Sequence, residues 1–537
     1  RHTLAGIDAA IHRTAQEKAK LLGDAELKTV VQAEQLRNPD ARVSLDELDG
    51  SKLFSLYANS YAGIQSGDYP RFGRVFWEMP RPFGDWAFQQ STIEGTQLFG
   101  GREHIIFWED GKGSLAKSST AYIRGKEGWG KVGVALAQMG EIPATLHTGE
   151  IWDNNTAVII PRDPAHLPAI WCFCSSPEYN EAVRKIDQKL NVTNATLVKV
   201  PFDLEYWQEV AAEKYPDGLP EPYSDDPTQW IFHGYPAVST DPLQVAVARL
   251  LGYRWPAELD ETMKLSAEAR ELVERCRDLD KYSDQDGIVC IPSVRGEEPA
   301  AERLRALLAA AYGSAWSPTK ERELLAEVGS KARDLDKWLR NEFFEQHSRL
   351  FHHRPFIWHI WDGRARDGFH VLINYHKLAE GSNKGRQLME TLIYSCLGEW
   401  ITRQKDGIQQ NEPGAEERLA AALELQKRLK AIIKGEPPFD IFVRWKPLAR
   451  QPIGWEPDIN DGVRMNIRPF MADDIPAGRK GAGILRVKPN IRWSNDRGKE
   501  PVCSKEEFPW FWDDDFIGAR VNDWHITNEE KRRAREA

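Results

Sequence analysis

Five basic side chains, Lys112, Lys117, Arg124, Lys126 and Lys131, lie close together in the chain, with Glu127 as the one acid among them. Serine, glycine and β-type residues separate them. That spacing fits strands and loops facing a phosphate backbone, where lysine and arginine displace condensed counterions. Gly125, Gly128 and Gly130 are expected to let the backbone approach such a ligand closely. The same pattern also fits an ordinary solvated hairpin face. A second basic island runs from Arg479 to Lys499, where Asp496 is the one acid, and contains Lys488 and Arg492. Arg71 and Arg74 add two further cations. Arginine can read guanine edges bidentately, but spacing does not single out which one does.

Other chemistry finds little support. The chain has no G-x-x-x-x-G-K-[ST] loop and no G-x-S-x-G elbow. His352, His353 and His359 lack an H-E-x-x-H pattern, and adjacent side chains point apart, so they read as packing or surface residues. Asp513, Asp514 and Asp515 could hold magnesium in a nuclease, but no matching P-D…(D/E)-x-K pattern accompanies them, and a solvated acidic turn is the better reading. Cys172 and Cys174 form a C-x-C pair, short of the four ligands of a structural zinc site. They read as buried packing, and no metal is expected.

These residues must be positioned by several kinds of element. Leu4 to Leu22 has helical periodicity, and a second helix is expected from Ala25 to Arg37. From about residue 52 short β-type runs appear: Ile105 to Trp108, Thr120 to Ile123, Val132 to Val134, Ala157 to Ile160 and Thr196 to Val200. One helix interrupts them, near Pro177 to Leu190. Residues 213–228, rich in Pro, Asp and Glu, read as a linker. Ser239-Thr240-Asp241-Pro242 marks a helix start. Leu304 to Ala311, Leu335 to Phe343 and Glu416 to Lys434 read as further helices, and Phe369 to Ile373 as a strand. The expected fold is mixed α+β: a helical lead-in over 1–50, a β-rich domain with inserted helices over 51–212, a linker and helical connector over 213–350, and an α/β domain over 351–537.

At 537 residues the chain is long enough for two to four domains. Its net charge of −10 opposes general affinity for nucleic acid, so any such contact must be local to the basic islands. Six cysteines are too few for a disulfide framework and fit a cytoplasmic protein. No apolar run is long enough to cross a bilayer, so no membrane partner is expected. The chain begins at Arg1 rather than Met, which reads as a trimmed protein.

Two stretches carry a family resemblance. The first runs from Asp153-Asn154-Asn155-Thr156 through Pro161-Arg162-Asp163 and Leu167-Pro168-Ala169-Ile170-Trp171-Cys172-Phe173-Cys174 to Leu190 through Phe202. Upstream, Phe99-Gly100-Gly101-Arg102-Glu103-His104 and Gly128-Trp129-Gly130-Lys131 fit with it. The second comprises Arg354 through Gly363, Asn374-Tyr375-His376-Lys377-Leu378, Asp461 through Phe470, Lys488-Pro489-Asn490-Ile491, Asp496 through Pro501 and Asn522-Asp523-Trp524-His525. Together they resemble the target-recognition region and C-terminal part of the large Pgl/BREX/DISARM-type adenine-specific DNA methyltransferases.

The resemblance implies double-stranded DNA as partner and a role in bacterial phage defence and restriction-modification. It adds Arg102 to the DNA-contact candidates. It also implies a parent enzyme that uses S-adenosylmethionine to methylate adenine N6 on a flipped base. This segment departs from the family where catalysis would lie. Phe99-Gly100-Gly101 lacks the spacing of a donor loop. Glu436-Pro437-Pro438-Phe439 begins with Glu, one carbon too long to hold the target amino group. No catalytic residue is carried over; the donor site is expected outside this chain, on an N-terminal methylase half, and other defence-system proteins are expected as partners. The alternative is a stand-alone specificity or scaffold subunit of a defence complex. A nuclease resting on Asp513 ranks last.

Overall fold

The run Thr156–Pro161 is apolar at nearly every position, as expected of a strand covered on both faces. In the computed structural model it is an inner strand of a four-stranded sheet. The structure describes residues 2–9, 12, 14–38, 41, 43–45, 52–80, 84–381, 383–436, 439, 441, 446–474, 482–491 and 527–537. The fold is mixed α/β with several small, mainly antiparallel sheets. Among the described residues no helix is long and apolar enough to cross a membrane.

The chain divides into two units. The first comprises Arg1–Ser66, Ala87–His104 and Gly111–Glu221; the second comprises Gly67–Trp86, Ile105–Asp110 and Pro222–Ala537. The main boundary lies within the 213–228 segment read as a linker. Residues 222–350 and 351–537 share the second unit, and the short 67–86 and 105–110 segments join it as well.

In the first unit the sheet order is Ala58–Ala62, Thr156–Pro161, Gly133–Ala137, Ala144–His147, all antiparallel. Ile159 lies opposite both Ser60 and Val134. Gly133 is required by closeness, since a Cβ there would lie 2.2 Å from the Ile159 carbonyl oxygen. Helix Leu167–Cys174 is apolar on all sides and packs on the strand Gly133–Ala137 and on helix Leu204–Lys214. Cys172 and Cys174 are buried within it. Phe173 meets the rings of Phe54, Tyr179, Phe202 and Trp207 at 5.0–5.3 Å between centroids.

The lead-in differs from its periodicity. Thr3–Gly6 and Lys28–Val31 pair as antiparallel strands, with Thr3 opposite Val31. The helix between them is confined to Ala15–Asp24, where Thr14 and Glu17 form a reciprocal cap. The β-branched Thr29-Val30-Val31 run finds a partner strand, and pairing overrides local helical preference. Thr196 to Val200 is likewise no strand: Asn194–Val198 forms a 3-10 turn. The Asp187 carboxylate accepts from the Thr193 backbone and from the Thr193 and Thr196 hydroxyls. Around Thr120 to Ile123, Tyr122 alone forms an isolated bridge, to Gln65.

The second unit centres on an antiparallel sheet ordered Ile288–Cys290, His370–Asn374, Ile357–Trp361. Helix Pro242–Leu250 begins at its start signal, Ala300–Tyr312 and Ala415–Lys434 cover their periodic runs, and Leu335–Asn341 ends before Phe343, which opens the next helix. Gly435, at φ +68°, ends the helix Ala415–Lys434, and a Cβ there would lie 2.4 Å from the Gly454 backbone. Three segments of the second stretch meet in this unit: Trp358 packs on Tyr375 at 5.2 Å and on Phe470 at 5.0 Å. Segment 67–86 is tied to the same core. His376 Nε2 lies 2.7 Å from the Trp77 carbonyl, and the Val463 N–H donates to Glu78 Oε1 at 2.8 Å.

Candidate nucleic-acid interface

The basic loop of the first unit is built inward from a tryptophan. Trp152 is fully buried and packs with Ala135, Val158 and Ile160, with Tyr61 and Trp129 against the same cluster. The chain crosses this indole at Gly125 and Gly128. A Cβ on Gly125 would meet the ring at 2.5 Å and one on Gly128 at 2.7 Å, and Gly125 also holds φ +80°. These glycines serve contact with Trp152, which corrects the expectation that they bring backbone to DNA. Gly130 has open space around its Cα, and its N–H donates to the Gly149 carbonyl at 2.9 Å.

Two further anchors hold the loop. Leu115, in the short helical turn Ser114–Lys117, is buried. Tyr122 and Gln65 exchange backbone hydrogen bonds of 2.8 and 3.0 Å. With glycine and apolar groups turned inward, Lys112, Lys117, Arg124, Lys126 and Lys131 are all exposed. The Arg124 guanidinium lies 5.3 Å from the Tyr122 ring centroid, and Tyr122 is 53% exposed. An exposed aromatic ring carrying a stacked arginine offers both a flat face and a cation. Sequence reasoning passed over Tyr122, although its place two residues before Arg124 on an extended run would put both side chains on one face.

The other candidates are placed differently. Arg102 has no exposed side-chain surface from which to reach a phosphate. Its guanidinium donates to the Gly100 carbonyl at 2.8 Å and to the Leu146 carbonyl, and lies 3.8 Å from Glu150. Burial lowers the Arg102 pKa. Burial works to raise that of Glu150, but the Arg102 and His147 charges and the Thr148 hydroxyl bring it below the usual carboxylate range. Burial holds His147 down at about 4. Arg102 is therefore an internal cation, a correction to its expected DNA contact.

Arg74, in the second unit, is also buried. It donates to the Pro70 carbonyl at 2.8 Å and the Asn460 carbonyl at 3.1 Å, and lies over Trp86. It is a bridge within that unit, again in place of a surface contact. Arg71, half-buried, lies 4.9 Å from the Phe72 ring centroid, and Lys488 is half-buried. Arg492 lies outside the described residues, as do Pro437, Pro438 and the Asp513 to Asp515 run. The structure thus collects five of the ten candidates on one loop of the first unit. Arg71, Arg74 and Lys488 belong to the second.

The second unit holds a cleft of about 560 Å³, lined among others by Arg386, Arg450, Trp455, Asp458 and Arg535. At its wall Lys446 Nζ lies 3.0 Å from Asp458 and 3.1 Å from the buried Asp461. Burial raises Asp461 to about 6 despite the lysine. Lys446 is committed to these carboxylates, Arg386 pairs with Glu390 at 3.5 Å, and Arg535 donates to the Ala449 and Gln451 carbonyls.

Among the described residues no group of three or more His, Cys, Asp or Glu side chains could hold a metal ion. His359 instead faces His370 at 2.9 Å inside the sheet. The glycines of the Phe99–Gly101 turn are packed against their own surroundings. A Cβ on Gly101 would meet the Ser91 carbonyl at 2.4 Å, and the Gly100 Cα faces the Gln97 side chain. No protein-family model matches the chain, and no curated protein matches it.

Proposed function

We propose that this chain is the DNA-recognition portion of a site-specific adenine-N6 DNA methyltransferase of bacterial phage defence, acting in the cytoplasm. The observation that carries the DNA reading is the loop from Lys112 to Lys131. Five exposed cations project from a segment pinned at Leu115, at Tyr122–Gln65 and across Trp152. Such a pinned loop presents charge without paying a large ordering entropy on binding. The methyltransferase assignment rests on the sequence resemblance. In this reading a catalytic part outside these residues binds S-adenosylmethionine and flips the base, while this chain positions the duplex.

The test is binding of the chain to duplex DNA across a salt series, with Lys112, Lys126 and Lys131 changed together to alanine. Counterion release predicts steep loss of affinity with salt, and the triple variant should flatten the logarithmic slope by up to about 3. Absence of binding at low salt, or a slope the triple variant leaves unchanged, would remove the reading.

A further inference from the structure

Tyr122 is 53% exposed, yet its backbone is fixed. Its N–H donates to the Gln65 carbonyl at 2.8 Å, and the Gln65 N–H donates to the Tyr122 carbonyl at 3.0 Å. Shortly after it, Gly125 is seated against the indole of Trp152. The ring therefore stands in solvent on a segment anchored at two points. Core packing does not account for that position, because an aromatic ring left in water forgoes the stabilisation its area could give. Internal bonding does not account for it either. Inside the second unit, Arg275 lies 4.5 Å from the Tyr235 ring centroid and donates to its hydroxyl at 2.9 Å, and that hydroxyl donates to the Ala311 carbonyl. That pair is wired into its core. Arg124 lies 5.3 Å from the Tyr122 centroid, and neither side chain makes a hydrogen bond or ion pair among the described residues. Lys112, Lys117, Lys126 and Lys131 likewise have no carboxylate partner among the described residues. Exposed arginines elsewhere behave differently: Arg277, Arg349 and Arg403 each pair with a glutamate of their own helix.

We propose that Tyr122, backed by Arg124, is a stacking platform for an unpaired nucleobase of the bound DNA. The proposal rests on the DNA reading of this loop and names the part of the strand that the ring takes. Within a duplex the faces of each base are covered by its neighbours, and only base edges reach the grooves. A tyrosine face can meet a base face only where that base has left the stack. The anchored backbone keeps the ordering cost of such a contact low. The guanidinium plane on the ring extends the stacking surface and brings charge close to the phosphates that flank the base. Lys117 and Lys126, on either side of Tyr122 in the chain, add exposed charge for the same strand. Every base has a π-face, so the platform accepts any of them without reading sequence.

The experiment measures binding of the intact chain to three end-labelled duplexes by fluorescence anisotropy at low salt. One is fully paired, one carries a single bulged thymidine, and one carries an abasic nucleotide at the bulge. The abasic bulge keeps the phosphates and lacks only the base. The thymidine bulge should bind about tenfold more tightly than the abasic one. Tyr122→Leu should erase that ratio, and Tyr122→Phe should keep it. Arg124→Gln should lower the logarithmic salt slope by about 1 and reduce the ratio. Iododeoxyuridine placed in the bulge should photocrosslink to the peptide that contains Tyr122, a readout that needs no variant. Equal affinity for the two bulged duplexes, or a ratio that Tyr122→Leu leaves intact, would overturn the proposal. Loss of the ratio in Tyr122→Phe would overturn it too, by assigning the contact to the hydroxyl and not to the ring face. If all three duplexes bind alike with a steep salt dependence, the stacking platform falls and the DNA reading stands. If none binds, both fall.

Discussion

Gly125 lies against the indole of Trp152, so close that a Cβ on the glycine would reach the ring at 2.5 Å. Two demands meet at this residue: a φ of +80° and a flat contact with a buried aromatic. Gly125→Ala violates both. The strain of a left-handed alanine and the displaced indole together should cost about 2–3 kcal/mol, read as a lowered urea midpoint with unchanged m-value. Gly130→Ala, with the same sign of φ but open space, should cost about 1 kcal/mol. Equal losses at the two positions would show that Trp152 does not shape the loop.

Two cations assigned alike from sequence should separate under mutation. Arg102→Ala removes the buried partner of Glu150 and leaves that carboxylate uncompensated, a loss of about 3–5 kcal/mol by denaturant unfolding. Lys126→Ala removes an exposed charge and should stay within about 0.5 kcal/mol. In DNA binding the ranking reverses: Lys126→Ala reduces the salt slope by about 1, and folded Arg102→Lys leaves it unchanged. An Arg102→Lys protein with normal stability and a reduced slope would count against the internal role.

That contrast shows what a sequence can disclose. The exposed loop was legible because charge and glycine alternate over a short span, and the helices at 242–250, 300–312 and 415–434 were legible from period and end signals. Arg102 was misread because its charge is local information and its burial is not. The strand Thr3–Gly6 was hidden for the same reason, since its partner lies beyond an intervening helix. Nothing in the composition of residues 67–86 marks them for the second unit. Their membership follows from long-range bonds such as Arg74 to Asn460.

Acid should unfold the protein through its buried histidines. His347 is neutral by construction of its site: Nε2 accepts the Ile357 N–H at 3.2 Å, and Nδ1 faces Gln244 Oε1 at 3.2 Å. Burial lowers it to about 3, and burial likewise lowers His233, His370 and His376 to about 4. The unfolded imidazoles bind protons below about 6.5 while the folded ones do not. Stability is therefore full above pH 6.5 and falls as the pH drops toward 4, by on the order of 3 kcal/mol for each histidine. Asp286 and Asp461, both raised to about 6, act in the opposite sense, but they are fewer. Urea midpoints measured from pH 7.5 to 4.5 should decline. His347→Gln should lower stability at pH 7.5 and make the decline shallower. A decline of the same steepness in that variant would exclude His347 as a contributor.

Asn466 should matter more than the tyrosine it touches. Its amide is buried and donates to the Asp458 carbonyl at 2.7 Å and the Gly462 carbonyl at 2.9 Å, with the Tyr375 hydroxyl at 3.1 Å. It thereby pins the turn that carries Asp458 and Asp461 to Lys446. Asn466→Ala leaves buried carbonyls without this donor and should cost about 3 kcal/mol. Tyr375→Phe removes one hydroxyl and keeps the ring stacked on Trp358, for a cost of about 1 kcal/mol. Urea unfolding monitored by tryptophan fluorescence measures both. If the two costs come out in the reverse order, the turn is held by the aromatic core around Trp358 and Phe470 and not by the asparagine.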